Sequence, residues 1–476
     1  MKLRDLGFEV DDDVEITSLA CDSSKVEPGC LFFCLIGTQS DGHTFAADAI
    51  SRGAAAIVVE RRLALDCLQI ETDDARRELS LAAARFYGNP SKRLKVIGIT
   101  GTNGKTTTTY IVKSIIEAAG KSCGLIGTNA VEYSGKKIEP TLTTPDPIDL
   151  QRIFADMASS GVEYVVMEVS AHALALKKVD GIMFEVAAFS NFSRDHLDFF
   201  GSLDEYANAK KSFFTPEHAR TAVLNVDDRV GVEILNATRL KTITYGVDNP
   251  SDVFGIDLKM SAYGLSYVIN IDDKVGDVKF NLTGRFNMYN TLCAAAIAHA
   301  IDLPLSAILA GIRGVKKIDG RFNIINTAKC SVIIDFAHTD DGIANILNAI
   351  REFAPAKIIT VFGCGGNRDK TKRAVMGKVV STLSDYCFVT SDNPRYEPPL
   401  DIILQIESGI KEIGKTNYTI VVDRKEAIRA ALTKAERDDI VLIAGKGAER
   451  YNDVMGRRQP YNDEQYVMEI AGESGF

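Results

Sequence analysis

The residues best suited to chemistry sit in one short run, Gly98-Ile-Thr-Gly-Thr-Asn-Gly-Lys-Thr-Thr107. The apolar stretch Val96–Thr100 before it reads as a strand. Lys105 to about Ala119 reads as a helix, with Ile111, Ile115 and Ala118 on one stripe. A strand that breaks into glycines and re-enters as a helix brings backbone N–H groups and a positive helix N-terminus to one point, which suits phosphate oxygens. Lys105 would neutralise terminal phosphates, and the Thr106 hydroxyl is placed to ligate Mg²⁺. The spacing is tighter than the general G-x-x-x-x-G-K-[ST] pattern, since position 99 is Ile. The chemistry expected is nucleoside triphosphate binding through Gly101, Thr102, Asn103, Gly104, Lys105, Thr106 and Thr107.

Oxygen and nitrogen donors follow. Glu168 ends the apolar run Tyr164–Val169, which would set a carboxylate at the carboxyl edge of a strand beside the loop, where a hard cation such as Mg²⁺ fits. His196, in Ser193-Arg-Asp-His-Leu-Asp198, is either a metal ligand or a satisfied polar residue. Lys210 lies on a helix beginning near Leu203, and by itself reads as a solvated lysine. Asn287 is either a ligand contact or a helix cap. Arg395, in Ser391-Asp-Asn-Pro-Arg395, reads alone as a surface arginine after a strand.

These residues must be carried by elements, and the chain has length for several. Its 476 residues suggest about three domains. With 46% apolar and 25% charged residues it can bury several cores, so wholesale disorder is excluded. Residues 1 to about 90 hold short strand-like runs such as Cys30–Ile36 and Ala54–Val59. Residues 91 to about 320 alternate strands and helices, as βαβ units in a mainly parallel sheet do, with an antiparallel insert around 253–282. Residues 321–476 alternate again after the hinge-like Asp319-Gly320-Arg321, with strands near Val332–Asp335, Ile358–Phe362, Tyr386–Thr390, Thr419–Val422 and Ile440–Ala444. The fold class expected is α/β in three domains, the last a Rossmann-like, doubly wound unit with ligands at its strand carboxyl ends.

Fifty-five basic against 64 acidic residues leave a net charge of −9, which argues against a general nucleic-acid binder and requires local positive sites for any anion. No apolar run reaches the roughly 18 residues of a membrane helix, and the start lacks a signal-peptide core. A cytoplasmic monomer acting on small molecules, without nucleic acid or membrane insertion, is expected. The nine cysteines form no CxxC pair and read as reduced, buried thiols.

Taken in order, TGTNGKTT, TTPD (Thr143–Asp146), MEVSAHAL, SNFSRDHLD and the YxxAK helix resemble the Mur ligase family, from Asp22 to about Glu449. That resemblance implies an ATP-dependent, ADP-forming amide ligase of peptidoglycan precursor synthesis, a process tied to cell shape and division. It implies a small N-terminal UDP-binding α/β domain, a central P-loop ATPase domain and a C-terminal amino-acid-binding domain. It implies Mg²⁺ held by Thr106, Glu168, His196 and Lys210, the last carbamylated by CO₂, with Lys105, Lys210 and His172 at the chemical step. Asn287, Arg321, Asp335 and His338 would complete the ATP contacts. Ser23, Thr38, Gln39, Ser40, Thr143, Thr144, Ser170 and Lys178 would hold the UDP-muramoyl peptide. The DNPR run resembles the signature of diaminopimelate-adding members, and implies a site made of Arg368, Asp392, Asn393, Arg395, Gly445 and Glu449. The acceptor would be the γ-carboxylate of D-glutamate in UDP-N-acetylmuramoyl-L-Ala-D-Glu.

The chain departs from the family pattern at several places: Ser24 and Lys178 stand where Arg is common, Asp319 and Asp340 where Pro is, Asn367 where Asp is, and Ala448 where His is. The alternatives are the same chemistry with L-lysine or another amino acid, a folylpolyglutamate synthetase, or a non-catalytic nucleotide-responsive paralogue. DGH, TTPD and DNPR count against the second. Joint retention of Lys105, Glu168, His196 and Lys210 counts against the third.

Overall fold

The computed structural model describes residues 1–37, 40–354 and 356–473. Thr38 and Gln39, expected at the UDP-sugar, lie outside the described residues. Three main sheets follow one another along the chain. The first has four parallel strands in chain order, Ser18–Ala20, Cys30–Phe33, Ala54–Val59 and Gln69–Glu71. The strand expected to run to Ile36 stops at Phe33. There the chain folds back, with the Gly42 N–H donating to the Leu35 carbonyl and Ile36 bridging to Asp41.

The second sheet has eleven strands. At its centre Cys123–Ile126, Tyr164–Glu168, Lys95–Thr100, Phe184–Phe189, Ala219–Asn225 and Lys241–Gly246 run parallel. Most of their residues are buried, because helices cover the faces of a parallel sheet, and such strands read as continuous apolar runs. The segment expected as an insert forms Val253–Ser261, Gly264–Ile271 and Lys274–Phe280. It extends the same sheet, since Tyr245 pairs with Val253, and the alternation of exposed and buried positions marks its half-solvated faces.

The third sheet runs Asn323–Asn326, Ser331–Asp335, Ile440–Ala444, Ile358–Phe362, Tyr386–Val389, Tyr418–Ile420, parallel except for the first strand. Helices Asp340–Arg351, Thr371–Leu383 and Pro399–Glu412 pack on one face, while Arg424–Lys434 and Asp463–Ala471 pack on the other. Ile440–Ala444, the last strand of this sheet in sequence, inserts between Ser331–Asp335 and Ile358–Phe362, so the connection into it runs back against the direction of the preceding ones. A crevice opens at such a place, beyond the strand carboxyl ends. Asp335, Gly363, Asp392 and Gly445 stand at those ends.

One ion pair secures that edge from behind. Arg424, buried, donates through Nε and Nη2 to the two Asp463 oxygens at 2.9 and 2.8 Å, and through Nη2 to the Ala444 carbonyl at 3.0 Å. Tyr461 donates to the same carboxylate at 2.8 Å. Seven of the nine cysteines are buried, and none is paired among the described residues. Among the described residues no helix is long and apolar enough to cross a membrane.

Removing one partner of a buried pair leaves the other charge unpaired, which costs about 3–5 kcal/mol. Asp463→Ala is expected to lower unfolding free energy by about that much in urea, whereas Arg424→Met combined with Asp463→Leu loses less. Denaturant midpoints of the three proteins check this.

Candidate active site

The central and C-terminal sheets point their carboxyl ends at one cavity of about 1620 Å³. On the central side the glycine loop turns through Gly101 at φ 142° and Gly104 at φ 86°. A side chain at Gly101 would meet Ser190 Oγ at 1.9 Å, and one at Gly104 would meet Asn290 Oδ1 at 2.3 Å, so the loop closes only with glycine at both. Lys105 folds back over the loop, its Nζ donating to the Gly101 and Thr102 carbonyls at 2.9 and 2.8 Å. Burial lowers its pKa, with Glu168 opposing. Asn103 Nδ2 donates across to Asp341 Oδ2 at 3.1 Å.

Thr106 Oγ1 donates to Glu168 Oε1 at 3.0 Å and accepts from Arg321 Nη2 at 2.8 Å. Glu168 also accepts from the Thr128 N–H and hydroxyl. A hydroxyl and a carboxylate oxygen therefore converge beside the loop. This pair of hard oxygen donors fits Mg²⁺, which takes few protein ligands and fills its shell with phosphate oxygens and water. Among the described residues, no three His, Cys, Asp or Glu side chains cluster to hold a metal unaided.

His196 lines the cavity, and its ring meets the His172 ring edge-on, with centroids 4.7 Å apart. Burial pushes His196 down to about 3, against the pull of Asp195, so its imidazole is neutral near pH 7. His172 is not among the lining residues. It packs against Phe199 and Phe200, and burial lowers its pKa too. Lys210 is fully buried, its Nζ 4.4 Å from the centre of the Tyr206 ring. Burial, reinforced by the Lys105 ammonium, holds its amine well below the ordinary lysine value, with Asp195 and Asp228 opposing.

Of the residues expected at ATP, Asn287 is buried in the helix Arg285–Ala300, whose N-cap is Gly284; its Nδ2 donates to the Thr283 carbonyl. The Arg321 guanidinium lies 4.7 Å from the Phe336 ring centre. Asp335 accepts from the Phe322 and Ala337 N–H groups, at 2.8 and 2.7 Å, and so fastens two backbone segments together. Burial raises its carboxyl, with Arg321 opposing. His338 Nε2 stands 3.7 Å from Asp195 Oδ2.

Of the residues expected at the muramoyl peptide, Thr143 and Ser170 line the cavity. Thr144 instead donates to the Glu168 carbonyl and accepts from the Ser170 N–H, so its hydroxyl braces the strand end. Lys178 pairs with Asp146 at 2.7 Å. Ser23 and Ser40 belong to the first unit, outside the cavity lining.

The expected amino-acid residues come together on the C-terminal wall. Arg368 and Arg395 both line the cavity. Burial and the Arg395 charge lower the Arg368 pKa, as expected of two cations held close. Arg395 Nη1 donates to the Gly366 carbonyl at 2.8 Å, and Asp453 is 3.8 Å away. Asn393 Nδ2 donates to Glu449 Oε2 at 2.8 Å. Gly445 has φ 114°, and a side chain there would meet Asp392 Oδ2 at 2.6 Å.

Three residues escaped the sequence reading. Asp195, 6% exposed at its side chain, faces His196 at 3.3 Å, Lys372 at 3.5 Å and His338. Burial alone would raise its carboxyl, but the hydrogen bond with His338 and the Lys372 ammonium hold it well below the usual range. Lys372 comes from the far domain, so no local spacing could reveal the contact. Lys446, wholly buried, donates to Asn393 Oδ1 and Glu449 Oε2 at 2.9 and 3.0 Å; its place between glycines in Gly445-Lys-Gly447 was the available signal.

Three family models match in succession: "Mur ligase family, catalytic domain" over 15–95, "Mur ligase middle domain" over 99–298, and "Mur ligase, glutamate ligase domain" over 320–447. A UDP-N-acetylmuramoyl-L-alanyl-D-glutamate--2,6-diaminopimelate ligase of Caldanaerobacter subterraneus is 40% identical over 467 residues, 97% of this chain and 96% of its own. An enzyme of the same name, numbered 1, from Clostridium acetobutylicum is 41% identical over 481 residues, 98% of each chain. A solved structure of such a ligase superposes with TM-score 0.71 at 30% identity, covering 99% of this chain and 98% of that one. MurF from Acinetobacter baumannii shares the fold at TM-score 0.68 and 19% identity, over 98% and 95% of the two chains. With relatives this similar along nearly its whole length, the chain belongs to the Mur ligase family.

Proposed function

We propose that this protein is an ATP-dependent ligase that joins meso-diaminopimelate to the D-glutamate γ-carboxylate of UDP-N-acetylmuramoyl-L-Ala-D-Glu, forming ADP and phosphate, in peptidoglycan precursor synthesis. The observation that carries the reading is the pairing of Arg368 and Arg395 beside Glu449 in the same cavity as the phosphate loop. A side chain ending in both an ammonium and a carboxylate matches that set of charges. A lysine side chain has no carboxylate for the guanidinium fork.

The loop N–H groups and Lys105 hold the terminal phosphates of ATP, and Arg321 approaches from the C-terminal side. The substrate carboxylate oxygen attacks the γ-phosphorus and ADP leaves, giving an acyl phosphate. The incoming amine then attacks the carbonyl carbon, an amide forms, and phosphate departs. Positioning and charge compensation carry most of such a reaction. Mg²⁺ held by Thr106 and Glu168, with His196 and carbamylated Lys210 as further ligands, would supply charge compensation on the phosphoryl group. The family relatives support ATP as the nucleotide.

Lys210 supports its own modification. Burial and the neighbouring Lys105 charge hold the Lys210 amine well below the ordinary lysine value, which favours its neutral, nucleophilic form. It adds to CO₂, forming an N–C bond and releasing a proton, and the resulting carbamate is an anion facing Lys105. Thr143 and Ser170 take the peptide end of the acceptor, and Ser23, Ser40 and the neighbouring 38–39 segment take its UDP end.

Phosphate release is measured with ATP, Mg²⁺ and the UDP-dipeptide, adding meso-diaminopimelate, L-lysine or L-ornithine in parallel. Turnover is expected with diaminopimelate alone. Turnover with another amino acid reassigns the pocket, and none from folded, ATP-binding protein refutes the ligase. Lys210→Ala should lower kcat at least ~100-fold, with partial rescue by a short carboxylate; unchanged kcat removes the carbamate role. Because acid protonates the amine, CO₂-depleted buffer should lower activity more as pH falls, with bicarbonate restoring it. Arg395→Lys should raise the KM for diaminopimelate at least ~10-fold and leave that for ATP within about twofold.

A further inference from the structure

Two guanidiniums that repel one another do not hold their spacing without a frame. Arg368 sits on the turn after Gly363-Cys-Gly-Gly366, and Arg395 on the turn after Tyr386–Val389. The residue before Arg368, Asn367, has φ 50°, and Arg395 itself has φ 51°, so both turns take the left-handed backbone that non-glycine residues seldom adopt. Some interaction must hold each bend.

The frame lies behind the cavity wall. Arg373, 0% exposed in the first turn of the helix Thr371–Leu383, donates to both Glu397 oxygens at 2.9 Å. It donates as well to Gln405 Oε1 at 2.9 Å and to the Gly365 carbonyl at 3.2 Å. Glu397 accepts from the Asn367 N–H, and Asn367 Oδ1 accepts from the Tyr396 N–H at 3.0 Å. One carboxylate thereby ties the backbone beside Arg368 to the segment that carries Arg395. Glu397 itself does not line the cavity.

We propose that Glu397, anchored by Arg373, is a positioning residue that sets the distance between Arg368 and Arg395 and with it the selectivity for an amino acid bearing a second carboxylate. The inference rests on the function proposed above. It predicts an effect confined to the amino-acid substrate, because among the described residues none of the frame's hydrogen bonds reaches the phosphate loop, Thr143 or Ser170.

The experiment is steady-state kinetics on the full chain with all three substrates varied in turn, alongside thermal unfolding. Glu397→Gln should raise the KM for meso-diaminopimelate about tenfold, leave the KM values for ATP and the UDP-dipeptide within about twofold, and lower the kcat/KM preference for diaminopimelate over L-lysine. Asn367→Gly, which relieves the positive φ while deleting the Oδ1 link, should move the same KM by a few-fold and folds even if Glu397→Gln does not. An unchanged diaminopimelate KM in either folded variant overturns the positioning role. So does an equal rise in all three KM values, which marks a general structural defect. A wild-type enzyme that never uses diaminopimelate overturns the function itself, and the inference with it.

Discussion

The contact on which the cavity depends is the one from Arg321 to Thr106. A guanidinium at the start of the C-terminal domain donates to the hydroxyl that opens the phosphate-loop helix, and that hydroxyl donates to Glu168. Three groups from separate parts of the chain are thus aligned within two hydrogen bonds. Asn103 with Asp341, and Lys372 and His338 with Asp195, repeat the connection nearby. Each contact joins the mouth of one parallel sheet to the mouth of the other, and the cavity lies between them.

A second constraint is electrostatic. The chain carries a net charge of −9, and Lys105, Arg321, Arg368, Lys372 and Arg395 line its cavity among a larger number of carboxylates, so an anion there must be held by local cations and not by the overall charge of the cleft. Each buried cation is managed differently. Lys105 rests on carbonyls, Lys446 on Asn393 and Glu449, and Arg373 on Glu397, whereas Lys210 has an aromatic ring beside it. Burial lowers the pKa of Lys105 as well as that of Lys210, and the Lys105 charge adds to the effect at Lys210.

The parts legible in the sequence were those whose chemistry is local. The glycine loop could be read because strand, glycines, Lys105 and the helix are contiguous and each demands the next. The parallel strands could be read because burial on both faces makes them uniformly apolar. What stayed hidden was set by distant partners. Asp195 was in view within Ser193–Asp198, but its meeting with Lys372 depends on how two domains abut. Thr144 was expected at the muramoyl peptide from family resemblance, and nothing in its local sequence shows that its hydroxyl bonds to backbone at the strand end. The segment 253–282 looked separate because alternation reports a half-exposed face, whichever sheet the strands join. The roles of Lys210 and Arg395 came from family resemblance, since an isolated lysine or arginine says nothing about burial.

The orientation of Asn393 has a further consequence. Lys446 Nζ and the Asp453 N–H are pure donors and both point at Asn393 Oδ1, so the amide can sit only one way round, with its NH₂ toward Glu449 Oε2. With Oε2 taking two hydrogen bonds, Oε1 is the oxygen left for an incoming group. The buried lysine behind the pocket, itself outside the cavity lining, therefore fixes which way an amide faces and which face of a carboxylate stays open.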